Sequence, residues 1–134
     1  MKLFADTNVL ASAFGTRGLC LDLVRLALEE HELVVSAPLL DELERVLAEK
    51  FGVPAQVRIV VREALAECTL AAAPESAPAF DCPDPSDAPL LAAALAAGAA
   101  FFITGDKALL EMGSVKNMLI VSPRQMYERL LQGV

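Results

Sequence analysis

Short apolar runs alternate with amphipathic stretches along this chain. Residues 3–5 are apolar and end on Asp6-Thr7-Asn8, which reads as a buried strand and a turn. Over residues 19–30 leucines surround a polar stripe of Asp22, Arg25 and Glu29 that continues to Glu32, the pattern of a helix with one solvated side. Residues 33–35 form a second apolar run. Ser36 then offers an N-cap, Pro38 falls in a first turn, and a helix is predicted to about Phe51, where Gly52 and Pro54 break it. Further helices are predicted over 55–67, 87–97 with Ser86 as cap and Gly98 as terminator, and 106–112. Another starts after Ser122-Pro123. Strands are predicted over 101–104 and 119–121, with a further short one near 69–73. The prolines at 74, 78, 83, 85 and 89 mark a loop rather than a linker, because too little chain follows for a second core.

Strands that alternate with helices predict an α/β fold, a three-layer α/β/α sandwich around a parallel sheet, with residues 1–134 as a single domain. In such a sheet a residue just after a strand, or at the start of the next helix, lies at the carboxyl edge, where ligands bind. Asp6 closes the first strand, Asp106 follows residues 101–104, Glu42 is in the second turn of the helix after Val35, and Asp87 opens the helix before Phe101. At about 100° per residue, Glu42 borders the apolar face formed by Leu39, Leu43, Val46 and Leu47, whereas Asp41 points away from it. Asp87 shares a helix face with Leu90, Leu91 and Ala94, and Asp84 precedes it within reach of the same pocket.

Carboxylates that converge repel one another, and burying them unpaired is costly. The single histidine, His31, is far along the chain from all of these acids. A hard divalent cation, Mg²⁺ or Mn²⁺, is the expected solution for an oxygen-only donor set. Composition cuts both ways. With 55% hydrophobic residues the chain can build a sizeable core, yet its net charge of -7 is the wrong sign for a general nucleic-acid coating protein. Few basic residues flank the proposed site, and Arg17, Lys107, Lys116 and Arg124 are the candidates for holding phosphate. The three cysteines, Cys20, Cys68 and Cys82, have neither disulfide nor zinc spacing. Asp6 interrupts the apolar start too early for a signal peptide, and Pro89 and Gly98 break the uncharged stretch 88–105. A cytoplasmic protein without a membrane span is therefore expected.

Several of these segments resemble one family. Phe4-Ala5-Asp6-Thr7-Asn8-Val9-Leu10 resembles the opening strand and acidic turn of PIN domains, and Ser36 with Glu42-Leu43 resembles their second acidic helix. Asp84-Pro85-Ser86-Asp87 and Ile103-Thr104-Gly105-Asp106-Lys107 resemble their third and fourth acidic positions, and Val121-Ser122-Pro123-Arg124 their closing strand and helix. The nearest resemblance is to the VapC-like toxins of toxin–antitoxin pairs. It implies Asp6, Glu42, Asp87 and Asp106 as metal ligands and catalytic residues, with Thr7, Asn8, Ser36 and Thr104 as polar support. It further implies Mg²⁺- or Mn²⁺-dependent cleavage of RNA, a cognate antitoxin as partner, and a homodimer.

Other readings give different expectations. A haloacid-dehalogenase-like phosphatase, another Mg²⁺-dependent phosphoryl-transfer hydrolase, wants a second aspartate two residues after the first, where this chain has Asn8. A receiver-like signalling domain wants paired acids at the first strand end, and Asp6 has no acidic neighbour. A catalytically silent PIN-fold interaction module would bind a protein partner and leave RNA intact.

Overall fold

A computed structural model describes residues 1–72 and 82–133. The elements in chain order are β1 (Lys2–Ala5), α1 (Thr7–Gly15), α2 (Leu19–Glu30), β2 (Glu32–Val35), α3 (Ala37–Glu49), α4 (Ala55–Ala66) and β3 (Thr69–Leu70). A 3₁₀ turn (Pro85–Asp87) follows, then α5 (Ala88–Ala96), β4 (Phe101–Ile103), α6 (Lys107–Met112), β5 (Ser114–Val115), β6 (Met118–Val121) and α7 (Pro123–Leu131). They form a three-layer α/β/α sandwich around one sheet of order β3-β2-β1-β4-β6-β5. All neighbouring strands are parallel except β5, which pairs antiparallel with β6.

The central strands are apolar on both faces because helices cover both. Leu3, Phe4, Phe102 and Ile103 are almost fully buried. The rings of Phe4 and Phe102, paired across β1 and β4, stack with centroids 5.4 Å apart. Each such side chain removed from water contributes about 1.5–3 kcal/mol. Among the described residues the buried apolar side chains form one contiguous cluster. Within it α1 packs on α2 and α3, α2 on α7, and α3 on α4.

Sequence patterning located most elements, and the differences have physical causes. Residues 7–15 form a helix, not a turn. Val9, Leu10, Ala11 and Ala13 of α1 are all buried, and its solvent side holds only Asn8, Ser12 and Gly15, a stripe too short to mark the helical period. The helix predicted from residue 87 begins at Ala88, because Pro85, Ser86 and Asp87 form a 3₁₀ turn and Ser86 does not cap it. Ser86 instead gives its N–H to Asp84 Oδ1 at 2.9 Å. The sheet is not wholly parallel: the two-residue turn Lys116–Asn117, with Lys116 at φ 53, folds β5 back onto β6. The strand predicted over 69–73 spans Thr69–Leu70, and Ala73, Pro74 and Pro78 lie outside the described residues. Among the described residues no helix is long and apolar enough to cross a membrane, and α5 ends where Gly98 adopts φ 78.

Candidate active site

The strand order places a topological switch point between β1 and β4. The chain winds outward from β1 to β2 and β3 on one side, and β4, β6 and β5 lie on the other. A crevice opens at such a point, at the carboxyl ends of the two strands. Ala5 pairs with Ile103, so Asp6 and Thr104 are the next residues on adjacent strands. The Asp6 N–H donates to the Ile103 carbonyl at 3.0 Å.

Asp6 is the N-cap of α1, its Oδ1 accepting from the Val9 N–H at 3.0 Å. Its Oδ2 accepts a hydrogen bond from the hydroxyl of fully buried Thr104. That hydroxyl oxygen in turn accepts from the Asp106 N–H at 3.1 Å, and Asp106 caps α6 through the Ala108 N–H at 2.8 Å. A chain of hydrogen bonds therefore links the two helix caps that follow β1 and β4. Asp6 is only 9% exposed. Burial pushes its carboxyl above the usual carboxylate value and Asp106 raises it further, while the bonds from Thr104 and Val9 oppose the rise.

Asp6, Thr7, Asn8, Glu42, Arg45, Ser86, Asp87 and Leu90 line a cleft of about 430 Å³. Burial is the first cause that raises the Asp87 carboxyl; the charges of Asp84, Asp106, Asp6 and Glu42 follow. All four predicted acids thus share one electrostatic neighbourhood, although Asp106 does not line the cleft. Exposed Asp84 does not line it, and its own carboxyl is held low by hydrogen bonds from Ser86. Asp41 turns away, as its helical phase predicts, and meets Arg62 at 3.3 Å.

The remaining predicted residues divide. Thr7 and Asn8 line the cleft, and the buried Thr7 hydroxyl has no hydrogen-bond partner among the described residues. Ser36 caps α3 by accepting from the Leu39 N–H at 3.3 Å and does not line the cleft; it lines a separate, smaller cavity with Pro38, Pro89 and Ala93. Arg17 and Lys107 are exposed and do not line the cleft. Arg45 does, and sequence reasoning passed over it. The available signal was its spacing of three residues from Glu42, which puts the two on one side of α3. Cys20 lies close enough to Asp6 for that charge to add to burial in raising its thiol.

The donor set suits a hard cation: carboxylates, hydroxyls and an amide, with an unpartnered Thr7 oxygen among them. As the side chains stand, no three His, Cys, Asp or Glu among the described residues are close enough together to hold one ion. Both Asp6 oxygens and one oxygen of Asp106 are engaged in the caps described above.

A comparison with curated proteins finds no match. The family model described as PIN domain matches residues 2–108, from β1 into α6, and so spans Asp6, Glu42, Asp87 and Asp106. The chain belongs to the PIN domain family, a family of nucleases.

Proposed function

We propose that this chain is a metal-dependent endoribonuclease that hydrolyses RNA phosphodiester bonds with Mg²⁺ or Mn²⁺, as the toxin of a toxin–antitoxin pair. The observation that carries the reading is Asp6. A carboxylate 9% exposed, raised by burial and facing further acids across a cleft, is poorly matched to its surroundings until a cation joins it. Membership of a nuclease family supplies the reaction class. Asp6, Glu42, Asp87 and Asp106 would hold the metal. Glu42 and Asp106 are exposed, so their side chains can turn inward without disturbing the core, Asp106 by giving up its bond from the Ala108 N–H. A bound divalent cation supplies Lewis-acid activation of water and of the phosphodiester.

The chain's own groups orient and pre-organise. Thr104 fixes the Asp6 carboxylate through Oδ2, the Val9 N–H fixes it through Oδ1, and Asp87 and Glu42 face it across the opening. The toxin role, an antitoxin partner, a homodimer, a cytoplasmic setting and a single domain over 1–134 rest on the motif resemblance and composition given above.

The test is Mn²⁺ titration by calorimetry together with cleavage of single-stranded RNA. We expect wild type to bind Mn²⁺ and cleave, and Asp6→Asn to keep its fold, lose Mn²⁺ binding and lose cleavage. Undiminished cleavage by Asp6→Asn, in a preparation free of contaminating nuclease, rejects the assignment. A silent interaction module draws its support from the separation of the carboxylates. It would neither take up Mn²⁺ nor cut RNA.

A further inference from the structure

We infer that Arg45 is the residue of the cleft that binds a backbone phosphate of the substrate, and that Glu49 restrains it. The inference rests on the proposed nuclease reading, because a phosphodiester is the ligand that reading brings to the cleft. Among the described residues Arg45 is the one cation that lines the cleft, beside Glu42 on α3 and together with Asp6 and Asp87. A polyanion that approaches three carboxylates needs a positive group at the wall, and a guanidinium offers a planar fork that matches two phosphate oxygens.

The position is built rather than accidental. Arg45 follows Glu42 by three residues on α3, and the buried Leu43, Val46 and Leu47 anchor that stretch of helix on the core. Its contact with protein is slight: Nη1 meets Glu49 Oε2 at 3.2 Å, with the two side chains 60% and 67% exposed. An exposed pair of this kind is weak, so a phosphate can displace it. The arginines of the adjoining α4 are committed elsewhere. Arg58 spans Glu44 and the Val53 carbonyl, and Arg62 spans Asp41 and Glu44.

The test uses the full chain and a mixed-sequence 12-nucleotide single-stranded RNA. Binding is followed by fluorescence anisotropy with Ca²⁺ over a series of salt concentrations, and turnover is measured with Mn²⁺. Arg45→Ala is expected to weaken binding and raise KM about tenfold or more with kcat little changed. It should flatten the log–log salt slope by about 0.7, the share of one phosphate contact on a single strand. Arg45→Lys restores part of the affinity, because the charge stays and the fork is lost. Glu49→Gln should tighten binding about twofold. Glu30→Gln, at the far end of α2, controls for loss of a remote negative charge and should leave binding unchanged. Thermal midpoints should match wild type throughout, since these side chains are exposed. A wild-type chain that binds RNA, with Arg45→Ala binding equally well at an unchanged salt slope, overturns the inference and leaves the nuclease reading standing. A wild-type chain that neither binds nor cuts RNA overturns both.

Discussion

The hydroxyl of Thr104 is a sensitive point in the site. Thr104→Val keeps the shape of a side chain with no exposure and removes one oxygen. Two hydrogen bonds go with it: the one donated to Asp6 Oδ2, and the one accepted from the Asp106 N–H at 3.1 Å. A hydrogen bond to a buried charge is worth about 1.5–3 kcal/mol and an ordinary one about 0.5–1.5 kcal/mol. The expected loss at pH 7.5 is therefore roughly 2–4 kcal/mol, or a fall of roughly 10 °C in Tm for a chain of this size. The pH dependence sharpens the claim. The Thr104 bond lowers the Asp6 pKa, so in the variant the folded-state value rises further above the ordinary one. The penalty is complete where Asp6 is ionised in both proteins. It shrinks as pH falls through the variant's folded pKa towards the wild type's, leaving only the share of the Asp106 bond. Urea unfolding followed by circular dichroism, in buffer with a chelator at pH 7.5 and at pH 4, measures both quantities. A loss below about 0.5 kcal/mol at pH 7.5, or an equal loss at both pH values, would refute the account of Asp6.

Two other substitutions probe the same framework. Asp6 has a folded-state pKa above its unfolded value, so its ionisation costs stability: the cost is absent below the unfolded pKa and grows as pH rises through the folded one. Metal-free Asp6→Asn, which retains an N-cap residue, should therefore unfold at higher urea than wild type at pH 7.5, and the advantage should vanish at low pH. Saturating Mn²⁺ should reverse the order, since a ligand at a hundred times its Kd adds about 2.7 kcal/mol to wild type alone. If Asp6→Asn is the less stable protein in a chelator at pH 7.5, the burial argument fails. Gly15 ends α1 under Phe51, where an added Cβ would meet the ring at 2.6 Å. Gly15→Ala should cost about 1–3 kcal/mol in thermal unfolding, and a neutral result would show that the ring swings aside freely.

How much of this was legible beforehand differs from element to element. The bounds of α2 and the Ser36 cap of α3 follow from amphipathic period and cap chemistry, which are local. The residues of α1 carry only a faint signal, because Asn8 and Ser12 are the sole polar positions on its short solvent side. The antiparallel β5 depends on a left-handed backbone at Lys116, a residue whose type does not announce it.

For the site, local pattern alone puts Asp6, Glu42, Asp87 and Asp106 after strands or in the opening turns of helices, and so toward one edge of a sheet. The reason is that strand and helix periodicity are written in neighbouring residues. The folded chain alone settles that β1 and β4 are adjacent, so that Thr104 reaches Asp6 across a separation of 98 residues. It also decided that Arg45, rather than Arg17 or Lys107, faces the cleft. Which strands pair, and which cations turn inward, depend on contacts between distant segments, and no local pattern encodes those.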